Sequence, residues 1–156
     1  MGTFSATVPG VVKANAAGVW ATSTGSLAPV AGVGELAPGC LKAHFGAFTQ
    51  LALPDQGGVI LVATLTGAGV TPANNDGVWA VNTAGKLRLI VRKGGTIPVD
   101  NVPEVISTLS ALTSTPVTMA QPGGFNSQGN LIYQTSFKDR SQGIFTAIFP
   151  STPTGP

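Results

Sequence analysis

Apolar residues in this chain come in short runs, and Gly or Pro cuts almost every run within a dozen residues. Runs of that length suit strands and leave few stretches for a helix of ordinary length. The predicted fold class is all-β. Leu61 to Leu65 and Leu131 to Phe137 are apolar runs bounded by Gly57-Gly58 and Gly129, the pattern of strands buried on both faces. Val78-Trp79-Ala80-Val81 and Ile144 to Phe149 read the same way. Leu87, Leu89 and Val91 alternate with Lys86, Arg88 and Ile90, so this strand is expected to keep one wet face. One helical candidate spans 104–115, entered through Asn101 and Pro103, with Val105, Leu109 and Leu112 at helix-compatible spacing. Its Ser, Thr and β-branched residues weaken helix propensity, and a strand or irregular crossover is the alternative.

Internal repetition is the most informative pattern. Gly18-Val19-Trp20-Ala21 recurs as Gly77-Val78-Trp79-Ala80 and, more loosely, as Gly143-Ile144-Phe145-Thr146. Upstream of these, Phe4 to Val8 matches Leu61 to Leu65 and then Tyr133 to Phe137. Downstream, Gly25, Leu27, Gly34 and Pro38 match Gly85, Leu87, Gly94 and Pro98, each sixty positions further on. The implied unit is an antiparallel four-stranded meander, close to a β-propeller blade. The units fall at approximately 1–39, 45–98 and 116–150 of a single domain covering 1–156. The first lacks its opening strand and the third its closing one, which makes about two and a half blades. A propeller ring needs four to eight. The chain is therefore expected to be a piece of a larger repeat protein, to close by association as a homo-oligomer or polymer, or to pack as a β-sandwich.

Composition narrows the function classes. Charged residues are only 9% of the chain, with eight basic and six acidic side chains and a formal charge of +2. Nucleic acid is not an expected partner, because phosphate tracking needs clustered cations interleaved with aromatics. The one dense basic group is Lys86, Arg88, Arg92 and Lys93. A single cysteine, Cys40, rules out an internal disulfide, and with the lone His44 it leaves no ligand set for a structural zinc. No run of eighteen apolar residues exists to span a membrane as a helix, and Met1-Gly2-Thr3-Phe4 does not open a signal peptide.

The segment Asn126-Ser127-Gln128-Gly129-Asn130-Leu131-Ile132-Tyr133 resembles the Asn-x-x-Gly-x-x-Ala-Phe signature of the bacterial choice-of-anchor tandem-repeat proteins. Phe45-Gly46-Ala47-Phe48 ahead of Leu53-Pro54-Asp55-Gln56-Gly57, the stretch Asn74 to Trp79, and Leu89 to Gly94 are similar to that family's successive blade elements. Pro54 stands where the signature has Asn, Gln134 stands at a usually basic position, and Ser151 to Pro156 matches no anchor. The resemblance implies export, a propeller-like repeat and an extracellular or cell-surface location. It implies no reaction and no ligand.

Each candidate for chemistry has a plainer explanation. Cys40 and His44, four apart, invite a nucleophile and base, but no orienting carboxylate is nearby and a packed connection explains them. Asn74-Asn75-Asp76-Gly77 offers oxygens for calcium, yet such residues make turns and a calcium site wants six to eight oxygens. Lys86, Arg88, Arg92 and Lys93 are the candidate contact for a surface polysaccharide or another anionic partner, or they protect an outer edge strand. Trp20 and Trp79 are candidate sugar platforms or, at equivalent positions, equivalent packing. The six acidic residues are scattered, with no hydrolase pairing. The expected function is a secreted or surface-exposed structural or interaction module without catalytic activity or cofactor. A carbohydrate-binding module is the alternative, and an extracellular hydrolase the third.

Overall fold

The computed structural model describes residues 3–4, 17–22, 26–52, 58–82, 84–111 and 130–148. Among them lie eleven strands and no helix: β1 (Thr3–Phe4), β2 (Gly18–Thr22), β3 (Leu27–Gly32), β4 (Ala43–Ala52), β5 (Ile60–Gly67), β6 (Asp76–Val81), β7 (Leu87–Arg92), β8 (Thr96–Val99), β9 (Val102–Ala111), β10 (Leu131–Phe137) and β11 (Gln142–Ala147). They form three antiparallel sheets in the orders β1-β2-β3, β4-β5-β6-β7 and β8-β9-β10-β11. The protein is all-β, and within each sheet the strands lie in sequence order.

The middle sheet is buried on both faces. Along β5, Leu61, Ala63 and Leu65 join Phe45, Trp79, Cys40 and Ala31 in one cluster. Ile60 joins Val78, Ala80 and Val91 in another, with Val62 packed against it, and the side chains of Ile106, Leu131, Tyr133 and Phe137 come to meet them from the third sheet. Val19 and Ala21 of β2 close on Val59 from the first sheet. Alternation along a strand sends neighbours to opposite faces, so β5 and β6 read as near-continuous apolar runs because both of their faces are covered.

The third sheet departs from the expectation of two buried faces. Along β10, Leu131, Tyr133, Thr135 and Phe137 are buried, whereas Ile132 is exposed and Gln134 and Ser136 only half-buried. On β11, Phe145 packs inward, with its ring centroid 5.8 Å from that of Tyr133, and Ile144 stands 69% exposed. No described residue packs on the second face of this sheet, so its isoleucines stay in solvent. The part of that run beyond residue 148 lies outside the described residues.

The wet face expected of β7 is also corrected. A register shift in the β6 pairing places Leu89 opposite Trp79 and Val91 opposite Val78, with Ile90 as the extra residue. A bulge resets the alternation, so Leu87 and Leu89 pack on the first cluster while Ile90 and Val91 serve the second. Of the strand's side chains, only Arg88 remains exposed.

The helical candidate at 104–115 is a strand as far as it is described. Val99 pairs with Val102 across Asp100 and Asn101, which have φ of 48° and 66°. Two successive left-handed residues make the tight turn that matches strand twist, and Asp and Asn tolerate it better than other side chains. That turn sends β9 back along β8, and Val105 and Ile106 then suit an extended backbone. Residues 112–115 lie outside the described residues. Thr96–Val99, sixty positions after Leu36–Gly39, thus belongs with the third sheet.

The two connections between sheets use the same hydrogen bonds. Gly34 N–H donates to the Phe45 carbonyl and Phe45 N–H to that of Glu35, at 2.8 and 2.9 Å. Gly94 N–H donates to Ile106 and Ile106 N–H to Gly95, both at 2.9 Å.

Thr135 is the one buried polar residue among those described, and its hydroxyl has no hydrogen-bond partner. An unpaired buried hydroxyl costs about 1–3 kcal/mol of desolvation. Thr135→Val, of nearly the same shape, is therefore expected to raise stability by about 1 kcal/mol, read as a higher urea midpoint at unchanged m-value. A lower midpoint would show that the hydroxyl has a partner in solution.

Candidate functional site

The four cations of the basic stretch do not form one cluster. Lys86 sits in the β6–β7 turn, where Asn82 Oδ1 accepts its backbone N–H at 2.9 Å, and its side chain is exposed. Arg88 lies opposite Ala80, on the face toward the third sheet. Arg92 lies opposite Gly77, on the other side of the bulge and on the face of Trp79. Its Nε donates to the Asn74 carbonyl at 2.8 Å, so this guanidinium braces the turn before β6. Lys93 is half-buried, and its backbone N–H donates to Asp76 at 2.9 Å. Lys86 and Arg88 are the two exposed side chains of the set.

Cys40 and His44 are separated by the fold. Cys40 is buried with Ala43 and Phe45 in the first cluster, whereas His44 points to the opposite face of β4 between those two residues. Burial pushes the Cys40 thiol above its ordinary range, and the nearby Arg92 charge and hydrogen bond offset part of that rise. A thiol held protonated is a poor nucleophile. Native protein at pH 8 is expected to react with a disulfide reagent at the rate of global unfolding, and in full only in denaturant. Fast native labelling would contradict the enclosed position.

In the Asn74-Asn75-Asp76 turn, the Asn74 side-chain oxygen and all three backbone carbonyls are taken up by neighbouring groups. Asn74 Oδ1 accepts from Thr71 N–H at 2.8 Å, and the Asn75 carbonyl from Leu65 N–H at 2.7 Å. The Asn74 and Asp76 carbonyls are those held by Arg92 and Lys93. Among the described residues, no three His, Cys, Asp or Glu side chains gather in a group that could hold a metal.

Trp79 is wholly buried, its Nε1 donating to the Pro38 carbonyl at 2.9 Å and its ring edge-on to Phe45 at 4.9 Å. It offers no platform to a sugar. The aromatic of each Gly-x-aromatic motif covers its own glycine: an added Cβ would come within 3.0 Å of Trp20 at Gly18, 2.6 Å of Trp79 at Gly77 and 2.5 Å of Phe145 at Gly143. Residues two apart share a strand face, and the ring lies down where the Cβ is missing. Trp79 faces the first sheet and Phe145 the middle sheet. Trp20, on the face of β2 opposite Val19 and Ala21, is directed away from the rest of the stack. A groove of about 410 Å³ between β2 and β4 is lined by Val19, Val33, Phe48, Leu51 and small residues, with no ionisable group.

The sheet edges differ in a way that sequence reading did not register. Bare strand edges invite pairing, and charge, proline, bulges or shortness discourage it. β3 carries Pro29 and a register shift, β7 carries Arg88 and its bulge, and β8 is four residues long with Pro98. β11 has none of these devices. Its register with β10 runs unbroken from Leu131↔Ala147 to Ser136↔Gln142, and it contains no charged residue and no proline.

A family described as of unknown function, DUF7453, matches the chain over residues 2–151. The chain belongs to that family. No curated protein and no solved structure matches it significantly.

Within this DUF7453 chain, the signal for the bare edge was present in the composition of 142–147. Gln-Gly-Ile-Phe-Thr-Ala lacks charge, whereas Leu-Arg-Leu-Ile-Val-Arg, the edge of the middle sheet, does not. Recognising it required knowing which strands lie at edges, which is a property of topology.

Proposed function

We propose that the chain is a structural or interaction module of blade-like β repeats that associates with its own kind, at the cell surface and without catalysis. The observation that carries this is the character of the two outer faces of the stack. The free face of the third sheet presents Ile132 and Ile144 among Thr146, Gln134 and Ser110. In the middle sheet the matching positions, Ile60 and Val78, are buried against Tyr133 and Phe145. The free face of the first sheet presents Trp20 with Leu27 and Pro29. Trp20 holds the place that Phe145 and Trp79 hold in the sheets they bring to an interface. The free face of the third sheet carries no charged side chain among its described residues, and that of the first carries the Glu35 carboxylate, held at its margin by the Gly32 N–H at 2.8 Å, so the two suit one another head to tail over their apolar centres. A contact of that kind closes into a ring or runs on as a filament. The recurring connection at Gly34 and Gly94 supports the blade-like reading. The surface location rests on the resemblance to anchored tandem-repeat proteins.

Sedimentation velocity with negative-stain imaging tests the reading. Association at micromolar concentration, as rings or fibres, is expected, and Ile132→Asp should abolish it while leaving the β-rich circular dichroism intact. A stable monomer at tens of micromolar, or association indifferent to Ile132→Asp, would reject it.

A second reading, an anionic surface polysaccharide as ligand, is favoured by the exposure of Arg88 on the outer strand β7 and of Lys86 in the turn before it. Saturable glycan-array binding that Lys86→Ser with Arg88→Ser removes would support it, and salt-insensitive binding would not.

A further inference from the structure

The middle sheet shows what an outer strand does for the strand bearing a Gly-x-aromatic motif. β6 is followed by β7, and the ladder between them is framed by two hydrogen bonds: Lys93 N–H to the Asp76 carbonyl and Asn82 N–H to the Lys86 carbonyl, both 2.9 Å. β2 is likewise followed by β3, with a register shift beside its aromatic residue as in β7. β11 bears the third motif and has no strand beyond it among the described residues.

The groups that would hold such a strand can be assigned. Phe137 N–H donates to the Ser141 carbonyl at 2.9 Å, which fixes the phase of the β10–β11 ladder. Directly opposed residues in an antiparallel pair alternate between bonded and non-bonded. Residues 143, 145 and 147 therefore bond to β10, while Gln142, Ile144, Thr146 and Ile148 turn their N–H and C=O groups to the open edge. Aligning Gly143 with Gly77 places Gln142 at Asp76, Ile144 at Val78, Thr146 at Ala80 and Ile148 at Asn82. Asp76 and Asn82 are the residues whose backbone holds β7. The same phase of backbone groups is thus presented on β11, without charge, proline or bulge to repel a partner. The adjoining turn is held by Asp139, whose Oδ1 accepts from Ser141 N–H at 2.9 Å and from its hydroxyl at 2.7 Å.

We infer that the outer edge of β11 is an acceptor for one extended, antiparallel peptide segment of the Leu-x-Leu-Ile-Val type, supplied by a partner chain. Backbone hydrogen bonds give such strand addition its affinity, and alternate side-chain positions give it specificity. The partner's Gly-proximal N–H meets the Gln142 carbonyl, and its leading carbonyl meets Ile148 N–H. The inference deepens the reading of the chain as an interaction module by naming a mode of contact. It differs from face-to-face association in using the backbone of β11 rather than the side chains of β10.

The test uses the full chain and a synthetic peptide with the sequence of residues 85–94, Gly-Lys-Leu-Arg-Leu-Ile-Val-Arg-Lys-Gly, with a same-composition scrambled peptide as control. Saturable binding by fluorescence anisotropy is expected, with hydrogen-exchange protection gained over 142–148 and no such protection from the scramble. Ile144→Pro removes an outward N–H and no bond to β10, so it should weaken binding about tenfold, the equivalent of one backbone hydrogen bond left unmade. Ile144→Lys, which keeps the backbone and adds an edge charge, should weaken it as well and guards against a folding defect in the proline variant. Equal binding of the scramble, protection outside 142–148, or indifference to both variants would overturn the inference. So would protection of 142–148 in the chain alone in step with dimerisation, because the edge would then belong to a second copy. Peptide binding to a chain that sediments as a monomer would uphold this inference while rejecting self-association, and the reverse pattern would separate them the other way.

Discussion

Trp79→Ala is expected to lower the unfolding free energy by about 4 kcal/mol, the largest effect of any single truncation among the described residues, where Trp79 is the largest fully buried side chain. Removing a buried Trp side chain costs about 3–5 kcal/mol when its surroundings cannot collapse. The surroundings of Trp79 are held from three sides: the Pro38 carbonyl on its Nε1, the Phe45 ring against its edge, and the middle sheet beneath it. Against a total of about 5–15 kcal/mol for a domain of ordinary stability, the variant would unfold at low urea. Trp79→Phe should recover about half, since a ring still covers Gly77 but the Pro38 carbonyl loses its donor. Chemical denaturation of both variants measures the difference. A loss under about 1 kcal/mol for the alanine variant would mean that the first and middle sheets close the gap by moving together.

The reach of sequence reading can be judged from particular strands. The fold class was legible because Gly and Pro leave few stretches long enough for a helix, and the core of β5 was legible because both of its faces are covered, although the strand runs Ile60–Gly67 and so extends past Leu61–Leu65 at both ends. β10 has nearly the same apolar content and was misjudged, since an isoleucine in sequence does not say whether a second sheet lies over it. β9 was masked by a local ambiguity: Asn101 and Pro103 suit a helix entry, and only the pairing of Val99 with Val102 shows that Asp100-Asn101 is a hairpin turn. The bulge at Ile90 was missed although Leu89-Ile90-Val91 breaks the alternation with three apolar residues in a row, because its partner's register decides where the alternation resets. The same holds for the basic residues. Their closeness along the chain was plain, whereas their division between two faces of β7, with Arg92 tied to Asn74, depends on that bulge. The Gly-x-aromatic motif was visible as repetition, and its cause lies in a contact between a ring and a missing Cβ.

That contact yields the most discriminating stability experiment, a comparison of the same substitution at two motifs. In Gly77→Ala the new methyl would meet Trp79 Cη2 at 2.6 Å, and in Gly143→Ala it would meet Phe145 Cε2 at 2.5 Å. The clash is equally close, so what decides the outcome is whether the ring can yield. Trp79 is wholly buried and tied through its Nε1, so it cannot tilt without breaking the Pro38 bond or pushing Phe45. Overpacking of an immobile core side chain costs about 1–3 kcal/mol, and Gly77→Ala is expected to cost about 2 kcal/mol. Phe145 is half-buried on the last strand of its sheet, has no hydrogen bond to keep, and can swing toward the open edge of β11. Alanine in a strand also loses less backbone entropy on folding than glycine, an advantage of about 0.5–1 kcal/mol. Gly143→Ala is therefore expected to fall within about 0.5 kcal/mol of the parent, a surface-like value. Parallel urea titrations decide the matter. Equal losses at both sites would mean that Phe145 is as confined as Trp79, and hence that the open edge of β11 does not give the ring room to move.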